Sequence, residues 1–204
     1  MASYLLAADI RPPRWLATAI AHGIRTDTQE FSRGTTNRDH HIYLSLFSQI
    51  DHVKLYRISH PTVDTRYLTE KWTGIRNARI WQDVAVSYAG KMSVPDLTSH
   101  VADFLLDVRG VCYALVSGFY DNSLYFSLRV RKKRRDAGTM IRKLIGRKGS
   151  AGGHGFMAGA QILSLESEPT ARATADILLH QFIESIHPDH RSSIEPQPVI
   201  LDTP

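Results

Sequence analysis

The sequence predicts an α/β protein in which a mixed sheet is flanked by helices. Short apolar or alternating runs typical of strands lie at residues 80–88, 111–120, 123–130 and 161–165. Longer amphipathic runs typical of helices lie between and before them. Residues that favour the first turn of a helix open these runs: Pro12-Pro13, Asn37, Asp64, Pro95-Asp96, Asp136 and Pro169.

Residues 1–60 are interpreted as the last portion of an α/β domain. A helix that begins after Pro12-Pro13 is expected to end at Gly23, so that the next turn presents Asp27. A second helix is predicted from Asn37, its N-cap, to about residue 50. His60-Pro61 then interrupts helical structure, because the residue before a proline disfavours helical backbone. Residues 61–78 are predicted to form a connecting helix.

Residues 79–187 are predicted to form a second domain. Its first strand, 80–88, is followed by a helix from Pro95-Asp96 to Val108. Strands 111–120 and 123–130 are joined by Asp121-Asn122, a natural hairpin turn. A helix at 136–145, a glycine-rich loop, a strand at 161–165 and a helix at 169–186 complete the domain, and residues 188–204 are expected to be a flexible, proline-containing tail.

Composition and length indicate a globular, cytoplasmic protein. A chain of 204 residues with 43% apolar residues can bury a sizeable core. No apolar run approaches the roughly twenty residues that a membrane-spanning helix needs, and no signal peptide is evident. The single cysteine, Cys112, cannot form an internal disulfide. A membrane partner is therefore not expected.

The positive charge of the chain is concentrated in one segment. Residues 129–148 contain ten lysines and arginines and a single acid, Asp136, whereas the rest of the chain holds 15 basic and 19 acidic residues. Such a concentration attracts phosphates, although most charge runs are simply solvated surface. Arg129 differs from its neighbours because it lies in the alternating run Tyr125-Phe-Ser-Leu-Arg129, where a strand would fix its direction.

A glycine-rich stretch, Ser150-Ala-Gly-Gly-His-Gly-Phe-Met-Ala-Gly159, follows the basic segment. Consecutive glycines let backbone N–H groups turn toward an anion, and histidine adds a donor whose charge changes near neutral pH. The same stretch also fits a plain turn before a buried strand. With Arg129 close upstream, we expect a phosphate pocket formed by Arg129 and the loop Gly152-Gly153-His154.

Ser127-Leu-Arg129, a helix, and then Gly-Gly-His resemble the DHH-associated domain of the DHH phosphoesterases. Further similarity lies upstream, in Gly23-Ile-Arg-Thr-Asp27-Thr and Phe31-Ser-Arg. The resemblance as a whole covers roughly residues 4–165. The chain looks most like the nanoRNase and pAp-phosphatase type, which hydrolyses short oligonucleotides and 3′-phosphoadenosine nucleotides with manganese. The resemblance implies that Arg129 and His154 hold phosphate, that Gly152 and Gly153 give backbone contacts, that Ser127 supports them, and that Asp27 is a metal ligand.

Most metal-ligand motifs of that family have no counterpart here. In the family they precede the segment matched by Gly23 to Asp27, and only 26 residues precede Asp27 in this sequence. One carboxylate cannot hold two hard cations. We therefore expect a catalytic domain truncated at its N-terminus, with Mn²⁺ binding in doubt.

Asp39-His40-His41 spells the motif that gives the family its name, but it follows Asp27 instead of preceding it. It also opens a predicted helix, where Asp39 would favour the positive helix end. We interpret the triplet as structural surface.

Three functions remain open from the sequence. The first is a DHH-type phosphoesterase chain that is inactive by itself and limited to binding a phosphorylated nucleotide or short oligonucleotide. The second is a non-catalytic nucleotide- or nucleic-acid-binding module. The third is a structural partner subunit that forms a homodimer and binds no ligand.

Overall fold

The computed structural model describes residues 2–32, 34–131, 135–189 and 195–198. The chain divides into two compact units, Met1–Thr62 (unit 1) and Val63–Pro204 (unit 2). The α/β class predicted from the sequence is confirmed, because unit 2 carries a seven-stranded mixed sheet flanked by helices. Within the described ranges, no helix has both the length and the apolar character required to cross a membrane.

All regular elements of unit 1 in its described residues are helices. Its elements are α1 (Ala2–Ala7), α2 (Arg14–Asp27), α3 (Asn37–Leu46), a single 3₁₀ turn (Phe47–Gln49) and α4 (His52–Ser59). Helix α2 packs on α3 and α4. The buried residues form two small clusters, one of Ala17, Ile42 and Leu46 and one of Ala21, Ile50 and Leu55.

Three boundaries expected in unit 1 are wrong. Helix α2 does not end at Gly23 but continues to Asp27, so flanking residues outweigh the roughly 1 kcal/mol cost of a glycine inside a helix. Helix α3 is capped by Thr36, not by Asn37. It also ends at Leu46, and a separate helix, α4, begins after Asp51, whose carboxylate accepts the backbone N–H of Lys54 at 3.0 Å.

Unit 2 contains four helices and seven strands in its described residues. The helices are α5 (Thr65–Arg76), α6 (Leu97–Leu106), α7 (Ala137–Ile145) and α8 (Glu168–Ile186). The strands are β1 (Arg79–Trp81), β2 (Val84–Lys91), β3 (Tyr113–Tyr120), β4 (Ser123–Val130), β5 (Ser150–His154), β6 (Met157–Ile162) and β7 (Gln197–Pro198).

The sheet of unit 2 has the order β5-β6-β4-β3-β2-β1-β7. Strands β2 and β3 pair in parallel, with α6 as their crossover, and the other neighbours pair antiparallel. Helices α5 and α6 cover one face around a cluster of 11 buried residues. Helices α7 and α8 cover the other face around a cluster of 23 buried residues.

Three expected features of unit 2 differ in the structure. The predicted strand 80–88 is a hairpin of β1 and β2, because Gln82 has a φ of +53° and turns the chain. The expected glycine loop is instead strand β5, which pairs with β6 along its whole length. Strand β6 accordingly begins at Met157 rather than near residue 161.

The two segments expected outside the folded domains also have defined contacts. Helix α5, expected as a connector, packs on β2 and α6 within unit 2. In the expected tail, Gln197–Pro198 pairs with β1 as β7. Residues 190–194 and 199–204 of that tail lie outside the described residues.

Candidate functional site

The alternating pattern of β4 separates an apolar face from a polar one. Leu124, Phe126, Leu128 and Val130 are all buried in the cluster beneath α7 and α8. Because successive side chains of a strand point to opposite faces, Ser127 and Arg129 lie on the α6 face. The Ser127 hydroxyl is buried there and lies 2.9 Å from the Thr98 hydroxyl of α6. The sequence predicted that a strand fixes the direction of Arg129, but not which face of the sheet Arg129 occupies.

Strand pairing brings two of the remaining predicted residues, Gly152 and His154, onto the same face, whereas Gly153 alternates to the opposite one. Arg129 pairs with Met157 of β6, and Met157 pairs with His154 of β5. In the adjoining row, Ser127 pairs with Gly159, and Gly159 with Gly152. Directly paired residues share a face, and strands lie about 4.8 Å apart, so the backbones of Arg129 and His154 are about 10 Å apart.

A shallow cavity of about 500 Å³ lies beside these rows. Its walls are the start of α6 (Pro95, Asp96, Thr98, Ser99) and parts of β4, β5 and β6 that include Ser127, Gly152, Gly159 and Gln161. Gly152 has open space where a Cβ would lie, and a Cβ on Gly159 would be 3.5 Å from the nearest atom, the Phe126 carbonyl oxygen. The two glycines therefore leave part of the sheet surface bare. Arg129 and His154 lie one row away from this cavity.

Arg129 already has an anionic partner. Its Nε donates to Asp103 Oδ1 at 2.6 Å and its Nη2 to Asp103 Oδ2 at 3.4 Å, while Nη1 donates to the Leu128 carbonyl at 3.3 Å. The Arg129 side chain is 13% exposed and that of Asp103 is 53% exposed. A phosphate that engages the same fork of donors must therefore displace Asp103, a competitor that no sequence pattern predicted.

Gly153 has a different role from its neighbour Gly152. Its φ is +141°, and a Cβ there would lie 2.4 Å from the Ala158 Cα. A Cβ on Gly138 of α7 would in turn lie 2.0 Å from the Gly153 carbonyl oxygen. The close approach of β5 to β6 and to α7 therefore accounts for Gly153 without any ligand.

Asp136 fixes the turn that carries His154. Its Oδ2 accepts the Gly155 N–H at 2.6 Å, and its Oδ1 accepts the Thr139 N–H at 2.8 Å as the N-cap of α7. These bonds, that from Thr139 first, lower the pKa of the Asp136 carboxyl. His154 itself is exposed at the end of β5. Its position is therefore set by backbone pairing and by Asp136, whereas its side chain reaches solvent.

Asp27 is exposed at the last residue of α2. Within the described ranges, no three histidine, cysteine, aspartate or glutamate side chains come together as a possible metal site. The described residues therefore do not fit the two-metal centre that the family resemblance implies. No reaction step through a metal follows from them.

The Asp39 carboxylate is committed to helix α3. It accepts the Thr36 backbone N–H at 2.9 Å and the Thr36 hydroxyl at 2.7 Å, and the Thr36 hydroxyl in turn accepts the Asp39 N–H. The hydrogen bonds from Thr36 lower the pKa of Asp39. His40 stacks on Phe31, with 5.4 Å between ring centroids, and His41 is exposed. Asp39 thus forms a capping box, which the sequence interpretation missed by assigning the cap to Asn37.

The basic segment is divided between the two faces of the sheet. Arg129 lies on the α6 face, whereas Arg142 and Lys143 are exposed on α7 and belong to the opposite layer. Arg135, also exposed, donates to the Ser185 carbonyl at 3.4 Å. Lys132, Lys133 and Arg134 lie outside the described residues. The predicted phosphate site therefore uses one cation of this segment, and the cations of α7 are on the other side.

The chain is similar to known proteins in sequence and in fold. No family model matches the sequence. An uncharacterized protein from Methanocaldococcus jannaschii is 32% identical over 163 residues, which cover 79% of this chain and 33% of that protein. The chain thus spans about a third of the length of this relative.

The chain is similar in fold to solved structures of other proteins. An exopolyphosphatase-related protein from Bacteroides fragilis superposes with a TM-score of 0.63 at 19% identity, covering 83% of this chain and 51% of that one. RecJ from Thermus thermophilus, solved in complex with Mg²⁺, gives a TM-score of 0.40 at 14% identity, covering 80% and 25%. The chain thus shares the fold of the exopolyphosphatase-related protein over 83% of its length, in agreement with the α/β fold that the resemblance to the DHH phosphoesterases implied.

Proposed function

We propose that this chain is part of a DHH-type phosphoesterase and that unit 2 binds the terminal phosphate of a nucleotide or short oligonucleotide. One observation carries the proposal. Arg129 and His154 share a cross-strand row, next to a row formed by Ser127, Gly159 and Gly152. The adjoining cavity of about 500 Å³ falls in the usual size range of small-ligand sites.

Each side chain of the proposed site has a defined contribution. The guanidinium of Arg129 offers paired donors to two phosphate oxygens once Asp103 has moved away. Most of the Asp103 side chain faces water, so its carboxylate can turn outward at little cost. His154 supplies a donor from the far end of the row, and the bare surface at Gly152 lets the ligand approach the backbone.

The finer assignment rests on the family resemblance. It favours short oligonucleotides and 3′-phosphoadenosine nucleotides as ligands, and Mn²⁺ as the ion that would activate water in a complete enzyme. Asp27 would be the ligand contributed by unit 1.

Titration of a 5′-phosphorylated dinucleotide tests the site. Arg129→Ala and His154→Ala are expected to weaken binding about ten- to a hundred-fold, because each removes a charged contact of about 1.5–3 kcal/mol. Lys143→Ala, on the opposite layer, is the control and should cause only a small loss that disappears at high salt. Equal, salt-suppressed losses in all three variants would mean a diffuse basic surface and would end the proposal.

Asp103→Asn provides a change in the opposite direction. It removes the competing charge while keeping the side-chain shape, so affinity for the same dinucleotide should rise about two- to fivefold. The rise should be absent when Arg129→Ala is also present. A loss of affinity in Asp103→Asn alone would show that the carboxylate positions Arg129 instead of competing with the ligand.

A second candidate function is a binding module without hydrolysis. It is supported by the exposed, isolated position of Asp27 in the part of the chain that the structure describes. With added Mn²⁺, the chain is expected to give no turnover of a dinucleotide or of 3′-phosphoadenosine phosphate. Turnover that disappears in Asp27→Ala would favour the enzyme over the module.

A further inference from the structure

Helix α7 presents cations that the proposed phosphate site does not use. Arg135, Arg142, Lys143, Arg147 and Lys148 are all exposed in or beside this helix. Asp136 is the one acid between residues 129 and 148, and its carboxylate is occupied by the backbone of Thr139 and Gly155. Arg142 reaches it only at 3.9 Å. This surface therefore keeps a positive excess after its own ion pairs are counted.

The position of α7 excludes these cations from the row of Arg129 and His154. The apolar side of α7, with Ala137, Ile141 and Ile145, is buried against the sheet face opposite Ser127 and Arg129. Its exposed side is therefore separated from the proposed site by the thickness of the sheet. The cations of α7 therefore do not contact a phosphate that lies in that row.

The site and α7 are nevertheless joined at one edge. Strand β5 is the terminal strand of the sheet, and α7 packs against it. The turn after His154 contacts the start of α7, since Gly155 donates to Asp136 and accepts the N–H of Ala137 at 2.9 Å. A chain-like ligand whose end lies near His154 can pass around this turn and reach α7.

We propose that the exposed face of α7 binds the phosphodiester backbone of a longer nucleic acid strand whose terminal phosphate lies at Arg129 and His154. The nine residues of α7 extend about 14 Å, enough for two or three successive phosphates of an extended strand. Arginine and lysine without strong carboxylate partners suit such sequence-independent contacts. The inference rests on the proposed phosphate site for its starting point, but the α7 contacts are tested separately.

The test compares two ligand lengths. Affinities of a 5′-phosphorylated dinucleotide and of a 5′-phosphorylated single strand of about twelve nucleotides are measured by fluorescence anisotropy at several salt concentrations. The double variant Arg142→Gln with Lys143→Gln should lose about tenfold in affinity for the long strand, but for the dinucleotide only the small loss that disappears at high salt. The slope of log affinity against log salt should fall by about 1.4, or about 0.7 for each lost phosphate contact.

A matched control removes the same charges elsewhere. Lys54 and Arg57 are exposed on α4 of unit 1, and Lys54→Gln with Arg57→Gln should leave both affinities unchanged. Arg129→Ala should weaken the binding of both ligands by the same factor. Unchanged binding of both ligands in Arg129→Ala would contradict the proposed phosphate site, whereas the contacts of α7 are tested by the long-strand affinity of the α7 variant alone. Unchanged long-strand binding in the α7 variant, an equal loss in the α4 control, or competition by polyglutamate as strong as by the strand would each overturn the inference.

Discussion

Units 1 and 2 differ sharply in how much of their apolar surface they bury. Unit 1 has two clusters of three buried residues each, whereas the two clusters of unit 2 contain 23 and 11. Among the described residues, unit 1 nevertheless exposes eight large apolar side chains: Tyr4, Ile10, Trp15, Leu44, Phe47, Val53, Tyr56 and Ile58. Since apolar burial is the main favourable term in folding, unit 2 should carry most of the stability.

The comparison also explains where the candidate site is found. In unit 2, Arg129 and His154 are fixed by strand pairing over a packed core. In unit 1, Asp27 ends a helix and is exposed. Rigid elements hold ligand-binding groups in place more accurately than chain ends do. Unit 2 thus holds the candidate phosphate-binding groups in fixed register, whereas Asp27 of unit 1 has no cluster of metal-ligating side chains around it among the described residues.

The largest expected effect is the loss of stability when a core side chain is truncated, and it should differ between the two units. Phe126→Ala in unit 2 should lower the free energy of unfolding by about 3–5 kcal/mol, because the side chain is 2% exposed in the main cluster. Leu55→Ala in unit 1 should remove hydrogen-exchange protection from α2 and α4 but leave the sheet protected. Loss of protection in both units from Leu55→Ala would contradict the comparison.

A smaller effect distinguishes two adjacent glycines in unit 2. Gly153→Ala should destabilise the protein by about 2–3 kcal/mol, because alanine is strained at a φ of +141° and meets the Ala158 backbone. Gly152→Ala should leave thermal stability nearly unchanged, since its Cβ points into open space, and should weaken dinucleotide binding. Equal melting temperatures for the two variants would contradict the roles assigned here.

The smallest expected effects depend on pH. Asp39 in unit 1 and Asp136 in unit 2 both have a lowered pKa, held down by Thr36 and Thr139 respectively. A lowered folded-state pKa stabilises the fold above the unfolded value of about 3.9, and the contribution is lost as pH falls through the folded-state pKa. Asp39→Asn and Asp136→Asn should therefore lower the melting temperature at pH 7, and the difference from the wild type should shrink as the pH falls through the folded-state pKa of each carboxyl. A gap that persists at low pH would mean that charge is not the cause.

Much of this fold follows from local sequence patterns. The alternation of residues 123–130 predicted β4 and a fixed direction for Arg129, and helix-start residues located α5, α7 and α8. Strand β5 was missed because its glycines provide no side-chain alternation, and its pairing with β6 depends on backbone hydrogen bonds. Helix α4 was missed because it has only eight residues and follows a 3₁₀ turn that the apolar pattern had assigned to the preceding helix.

The carboxylates that bind the residues of the candidate site could not be predicted from the sequence. Asp103 is 26 residues from Arg129, and Asp136 is 19 residues from Gly155. Neither spacing belongs to a local motif, since the contacts depend on how α6 and α7 lie on the sheet. The local residues of the site were thus predictable, whereas the carboxylates that occupy and orient them were not.

Backbone amide chemical shifts during titration with a 5′-phosphorylated dinucleotide test the central claim most directly. We expect the largest changes in the two rows of β4, β6 and β5, at Ser127, Arg129, Gly152 and His154. We also expect a change at Asp103 as its carboxylate leaves Arg129. Largest changes in residues 2–32 or 34–62, with none at Arg129 and His154, would contradict the proposed phosphate site.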